Sequence, residues 1–145
     1  MKLNLKRIAG AVLALAAVPA GAADNPMWKD GLVWSCRFSS TIECERSQDC
    51  TTKLISGGVE LDYRENNVTD SSGVIRPIKR HYVQTVTGSP ISSEVKIELQ
   101  TNDVLWLLPV DGAGTFSHNW IGAMVSPKPG VVLQELRPLE CRPKP

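Results

Sequence analysis

The sequence predicts an all-β fold, in which a single small antiparallel meander of about seven or eight strands closes, or nearly closes, into a disulfide-stapled barrel. Three observations lead to this prediction. Apolar and polar residues alternate with a period of two along most of the chain, turn-forming residues separate these runs at short intervals, and no run carries a convincing helical stripe. Sequential hairpins give an up-and-down sheet, and closure into a barrel protects the edges of such a sheet.

The first half of the domain is predicted to hold two strands and an exposed connection. The apolar residues from Leu32 to Phe38 share one face of the first strand, and the turn residues after Phe38 end it. The run TTKLIS breaks at Gly57-Gly58, before a half-buried strand over 59–64. Residues 66–73 (NNVTDSSG) are rich in turn formers, which predicts an exposed hairpin connection.

The second half is predicted to continue the meander. Residues 78–86 alternate, and residues 95–100 show the clearest alternation in the chain. The run VLWLLPV over 104–110 is apolar throughout, which predicts a strand covered on both faces or the wall of a cavity. In the final segment, Pro138 predicts an edge strand or a bulged strand, since proline cannot donate a ladder hydrogen bond.

Residues 1–22 have the three parts of a secretory signal peptide. A short basic start precedes an apolar stretch over 8–18, and small residues follow, with Ala20 and Ala22 forming an A-x-A site. The apolar stretch is far shorter than the roughly 20 residues of a membrane-spanning helix. We therefore predict cleavage after Ala22, with cleavage after Ala23 as the alternative, and one mature domain over 23–145. The alanine-rich leader looks bacterial, so the predicted location is the periplasm or the outside of the cell.

The net charge excludes two classes of partner. Residues 1–22 hold three of the 16 basic residues and no acidic residue, so 13 basic residues face 15 acidic residues in the mature chain. Binding to nucleic acid or to an anionic membrane surface draws on a surplus of Lys and Arg. Neither is a predicted partner of this slightly acidic domain.

The four cysteines predict a disulfide framework. All of them lie in the mature part, and an even count in a small exported domain is typical of disulfides. Their spacing does not match the two-residue knuckles of zinc sites, so no metal is predicted. Of the three connectivities, we predict Cys36–Cys141 with Cys44–Cys50, because a closed barrel makes the first and last strands neighbours.

No enzymatic motif is present, and the protein is predicted not to be an enzyme. A triad would need His118 with Ser117 or Ser126 and with Asp111 or Asp103, yet no nucleophile-elbow pattern surrounds either serine. A hydrolase is therefore a distant third function, and no cofactor is predicted.

Two pairs of carboxylates occur at i, i+2 spacing, Glu43 with Glu45 and Glu60 with Asp62. Each pair points to one face of a strand, but nothing apolar surrounds it to raise a pKa for glycosidase chemistry. The dense oxygen spacing of a calcium loop is also missing. We interpret both pairs as solvent-facing charges.

The basic cluster and the tryptophans supply the candidate contact residues. Strand alternation places Lys79 and His81 on one face and Arg80 on the other, so a solvated strand is the first interpretation and a site for an acidic partner is the second. Trp34 and Trp106 are predicted to pack in the core. The candidate contact residues are Trp28, Trp120, His118, Arg76, Lys79 and Arg80.

Two segments carry a resemblance to a known group. The run WSCRFSSTIECERSQDC and the terminal strand ending LRPLEC resemble small exported four-cysteine β-rich proteins of alphaproteobacteria. This resemblance implies the fold and the exported location. A fainter resemblance is to the periplasmic inhibitors of lysozyme, which are also small disulfide-bearing β-barrels.

Two functions follow as expectations. The first is a binding or inhibitory module of the cell envelope, in which loops over 40–50, 66–73 and 111–120 contact a protein partner. The second is a periplasmic carrier of a small hydrophobic ligand, in which the apolar run over 104–108 lines an interior cavity. A carrier requires an unfilled barrel interior.

Overall fold

The computed structural model describes residues 27–46, 48–84, 94–110, 118–130 and 132–145. The predicted signal peptide, Asp111 and Ser117 lie outside these ranges. The described elements follow in chain order as α1 (Met27–Asp30), β1 (Val33–Glu45), β2 (Thr51–Asp62), β3 (Asn67–Asp70), β4 (Ile75–Gln84), β5 (Glu94–Leu99), β6 (Val104–Pro109), β7 (Trp120–Pro127) and β8 (Val132–Pro143).

The eight strands form a closed antiparallel barrel in sequential order, which confirms the predicted fold class. Closure occurs where β8 pairs with β1, and Cys36 lies directly opposite Cys141 in that register. A disulfide joins these two residues, and a second joins Cys44 to Cys50 across the β1–β2 connection. Both predicted disulfides are therefore confirmed.

The core lies inside the barrel and is built from one face of each strand. Aliphatic side chains of the middle strands pack there with two tryptophans and the Cys36–Cys141 disulfide. The largest fully buried side chains are Trp34, Trp120, Met27, Leu61, Ile97, Leu99, Leu105, Leu107 and Met124. Burying each large aliphatic side chain contributes roughly 1.5–3 kcal/mol.

The single turn of α1 packs against the barrel. Met27 is fully buried, and its sulfur accepts a hydrogen bond from the Tyr63 hydroxyl at 3.5 Å. Trp28 stacks edge-on against Tyr63 and His81, with ring centroids 5.5 and 4.7 Å away. Trp34 Nε1 donates to the carbonyl oxygen of Gly31 at 2.8 Å, which fixes the chain between α1 and β1.

The first two strands are longer than the sequence predicts. β1 does not end after Phe38 but continues to Glu45, and β2 runs through Gly57-Gly58 instead of breaking there. A Cβ atom at residue 58 would overlap the carbonyl oxygen of Cys36. Glycine thus permits the close approach of β2 to β1 and keeps the ladder continuous. Part of the predicted connection over 66–73 also forms a strand, β3.

Two irregularities change which side chains face outward. A register shift between Ile78 and Arg80 exposes both Lys79 and Arg80 and leaves His81 in register with the buried Ile97, so the predicted pairing of Lys79 with His81 on one face is wrong. Pro138 lies opposite a second register shift, between Phe38 and Ile42 of β1. The extra residue of this shift belongs to β1, and the register of β8 with β7 is continuous past Pro138. Because the barrel is also closed, the prediction that this proline makes the last strand an edge strand or a bulged strand is wrong.

Among the residues described, no helix has the length and apolar character that a membrane crossing requires.

Candidate protein-contact face

The outer surface of β6, β7 and β8 is apolar. Three cross-strand rows point away from the core, and eight of their nine side chains are apolar. The rows are Val104–Val125–Leu136, Trp106–Ala123–Pro138 and Leu108–Ile121–Glu140. We call the eight apolar residues of these rows the outer apolar face. The intervening rows, such as Leu105–Met124–Arg137, point into the barrel.

Two residues of this face are exposed, and the others are partly buried. The side chain of Trp106 is 50% exposed and that of Ile121 is 46% exposed. An antiparallel sheet normally presents polar side chains to water on the face away from its core. Contiguous exposed apolar surface of this kind marks interaction sites in soluble proteins.

Two predictions about tryptophans are corrected here. Trp106 was expected in the core, but the alternation of β6 buries Leu105 and Leu107 and turns Trp106 outward. Trp120 was expected as a contact residue, yet it is 1% exposed, because it opens β7 on the inward row beside Cys141. The apolar run over 104–110 predicted a strand covered on both faces or the wall of a cavity. In the described part of the chain, the outer side of β6 instead lies at the surface of the barrel, with Trp106 exposed.

A charged rim borders the face along β4 and β5. Arg80 donates two hydrogen bonds of 2.7 Å to Glu98, from Nε to Oε2 and from Nη2 to Oε1, and the Tyr82 hydroxyl adds a third at 3.3 Å. The hydrogen bonds from Arg80 hold the pKa of Glu98 below its ordinary value. Lys96, directly opposite Trp106, adds a second positive charge beside Glu98.

A similar rim lies along β8 and β1. Arg142 donates from Nε and Nη2 to Glu140 Oε1 at 2.9 and 2.7 Å, and Arg37 lies opposite Glu140 in the β1–β8 register. The hydrogen bond from Arg142 lowers the pKa of Glu140. Each rim therefore holds one ionised carboxylate between two cations, and the two rims together carry a surplus of positive charge.

A hollow of about 490 Å³ lies where the apolar face meets the second rim. Leu108, Ile121 and Pro138 line one side of it, and Arg37 and Glu140 line the other. The hollow can accept an apolar side chain whose neighbour carries a negative charge.

The predicted contact residues do not form one surface. Trp120 is in the core and Trp28 packs against Tyr63 and His81. Arg76 is 2.8 Å from Asp70 and 3.8 Å from Asp103. His118, Lys79 and Arg80 are exposed, and of these only Arg80 lies in a rim described above.

Asp70 and Arg76 stabilise the turn between β3 and β4. The hydrogen bond from the Ser72 hydroxyl, at 2.6 Å, is the main reason why the pKa of Asp70 lies well below its ordinary value. The backbone N–H groups of Ser72 and Val74 and the Arg76 guanidinium also donate to this carboxylate. The guanidinium group of Arg76 thus stabilises this turn through Asp70.

The carboxylates considered for chemistry have structural partners. Asp62 accepts hydrogen bonds from the backbone N–H groups of Arg64 and Glu65 at 2.8 and 3.1 Å. Glu60 pairs with Lys144 at 2.5 Å. Ser126 is buried, and Asp103 accepts a hydrogen bond from the Thr101 hydroxyl at 2.5 Å. In the described ranges, no three His, Cys, Asp or Glu side chains come together as a metal site.

The barrel interior has a packed apolar part and a polar part. The apolar part is occupied by the core side chains named above. Towards the β7–β8 connection the inward row becomes charged: Glu135 is buried, lies 2.8 Å from Lys128 and also pairs with Arg137. For a small hydrophobic ligand, the outer apolar face is therefore a more accessible apolar surface than the described interior.

No protein-family model, curated protein or solved structure matches this chain.

Proposed function

We propose that this protein is an exported protein-binding module of the cell envelope, and that its outer apolar face is the contact surface. The observation that carries the proposal is the outer apolar face, with Trp106 exposed in its middle row, on a barrel wall where polar side chains are expected. The signal-peptide pattern of residues 1–22 and the two disulfides support an oxidising location, in the periplasm or outside the cell.

The rims define the chemistry of the partner. Four cations and two carboxylates flank the apolar face, namely Arg80, Lys96, Arg37, Arg142, Glu98 and Glu140. A partner that buries the face meets this positive surplus at its margin. The proposed partner is therefore a protein with an apolar contact patch and acidic residues around it. Tryptophan and arginine are the residue types that dominate binding energy at such interfaces.

Rigidity supports the same proposal. The contact residues lie on paired strands of a disulfide-closed barrel, so binding does not require the surface to become ordered first. An inhibitory module gains affinity in the same way, because its contact residues are held in place before the target arrives.

The proposal is tested by affinity capture from the native envelope with three forms of the oxidised, tagged protein. The forms are wild type, Trp106→Lys, and the control Val74→Lys, which places the same charge at a 51% exposed residue in the β3–β4 turn. Wild type and Val74→Lys are expected to enrich the same envelope protein, and Trp106→Lys is expected to lose it. Recovery of that protein by Trp106→Lys at the wild-type level refutes the proposal.

The rim is tested with the double variant Lys96→Glu/Arg37→Glu, measured by calorimetric titration against the captured partner. Reversal of the two charges is expected to weaken binding by at least about tenfold at low salt, and the difference should shrink at high salt. Equal affinity of wild type and the double variant shows that the partner does not present acidic groups to the rims.

A further inference from the structure

The second half of β2 pairs with β3, but the first half has an open edge. β1 pairs with β2 from Thr51 to Asp62, whereas β3 pairs only with Val59–Asp62. On the side away from β1, no strand that the structure describes pairs with residues 51–58. Such an edge presents backbone donors and acceptors to which another strand can pair.

The directions of the hydrogen-bonding groups on this edge follow from the second disulfide. Cys44 and Cys50 have a Cα–Cα distance of 4.1 Å, which is typical of a non-hydrogen-bonded antiparallel pair. The next pair, Glu43 with Thr51, is therefore hydrogen-bonded, and the pattern alternates along β2 as far as Leu54, after which the β1–β2 register shifts before Gly57. The N–H and C=O groups of Thr52 and Leu54 consequently point away from β1, to the open edge.

Leu54 lies in the middle of this edge and is 90% exposed. Antiparallel pairing of two copies about a two-fold axis at Leu54 places the two leucines opposite each other. The same register sets Thr51 against Gly57 of the other copy and Thr52 against Ser56. The second of these is a hydroxyl pair, which stabilises a sheet.

The charge on the edge does not oppose this register. Lys53 lies opposite Ile55 of the other copy, not opposite a second lysine. Its ammonium group is 2.9 Å from Glu43 on the neighbouring strand, so the charge is already compensated within each chain.

The surface beside the edge leaves room for a second chain. A groove of about 540 Å³ lies where β3 ends, between the β3–β4 turn and the paired part of β1 and β2. Its lining includes Arg37, Gly57, Gly58, Asp70 and Ser71. In the two-fold register, Thr51 of the other copy reaches Gly57, at the margin of this groove.

We propose that the protein forms a homodimer in which the open β2 edges of two copies pair antiparallel about Leu54 and join the two barrels into one continuous sheet. This interface is distinct from the outer apolar face, so the two proposals succeed or fail separately.

The test is sedimentation equilibrium of the full oxidised protein. Because the pairing is short, the expected dimer is weak, with a Kd of about 10–100 µM. Leu54→Lys and Leu54→Glu are each expected to raise the Kd by more than about tenfold, since like charges then oppose each other at the axis. An equimolar mixture of the two variants is expected to recover the dimer, because Lys and Glu then face each other.

The matched controls are Val74→Lys and Trp106→Lys, both of which should dimerise like wild type. Amide hydrogen exchange of the wild type needs no variant: the amides of Thr52 and Leu54 are expected to be protected at high concentration and to exchange faster on dilution. A monomer at every concentration up to about 1 mM overturns the proposal. A dimer that survives Leu54→Lys, or that fails to reappear in the charge-swapped mixture, also overturns it.

Discussion

Removal of the Cys36–Cys141 disulfide is expected to destabilise the protein much more than removal of Cys44–Cys50. The perturbation is a pair of double variants, Cys36→Ala/Cys141→Ala and Cys44→Ala/Cys50→Ala. The first bond closes a loop between residues 105 positions apart and joins the two ends of the barrel, whereas the second spans a separation of 6.

The magnitudes follow from the loop lengths. The entropy that a cross-link removes from the unfolded chain is worth about 4.7 kcal/mol for the long loop and about 2.4 kcal/mol for the short one. Cys36 and Cys141 are also fully buried, so their truncation leaves unfilled volume in the core and adds to the cost. The expected difference between the variants is therefore at least about 2 kcal/mol.

The assay is urea denaturation of both variants and of the oxidised wild type, followed by tryptophan fluorescence. The free energy of unfolding in water is obtained by linear extrapolation, and the m values are compared to detect changes in the unfolded state. Equal losses for the two variants, or a larger loss for Cys44→Ala/Cys50→Ala, refute the argument that barrel closure is what the long bond stabilises.

Three further predictions concern single residues. Gly58→Ala is expected to lower stability by more than about 2 kcal/mol through overlap with the Cys36 carbonyl, while Gly31→Ala, which makes ordinary contacts, changes the melting temperature little. Asp70→Asn is expected to lower the free energy of unfolding by more than about 1 kcal/mol at pH 7. Because the serine hydroxyl lowers the pKa of Asp70 in the folded protein, this deficit should shrink as the pH falls below 3.8, and a deficit independent of pH in urea titrations would contradict the assignment. Trp106→Lys should change the unfolding free energy by less than about 0.5 kcal/mol, and Trp120→Ala should cost about 3–5 kcal/mol; comparable losses in thermal melts would contradict their placement.

The barrel and its disulfides were predictable because the relevant signals are local or topological. Period-two alternation identifies strands without knowledge of their partners, and cysteines near both ends of a closed meander have few ways to pair. Residues 95–99 show this well: Val95, Ile97 and Leu99 are all buried as the alternation predicts. Tertiary contacts decided the rest. The Gly57-Gly58 pair has the composition of a turn, yet it lies in a strand, and at Gly58 the neighbouring strand β1 passes too close for a side chain.

The candidate site was predicted only in part, for a related reason. A single apolar strand does not reveal which of its faces turns inward, so Trp106 and Trp120 were both misplaced. The outer apolar face exists because three strands align their apolar residues in register, a property of pairing that no one segment contains. Likewise, the register shift before Arg80 exposes two successive residues, Lys79 and Arg80, which simple alternation would place on opposite faces.

The position of the Cys36–Cys141 bond constrains when its two thiols can be oxidised during folding. Cys36 and Cys141 are both buried in the folded barrel, whereas Cys50 of the second bond is exposed. An oxidant therefore has to reach the thiols of Cys36 and Cys141 before β8 docks against β1, or while it docks. Once formed, this bond is open to a reductant only when the strands separate, so its reduction rate would follow barrel opening, while the Cys44–Cys50 bond would exchange with thiols in the folded protein.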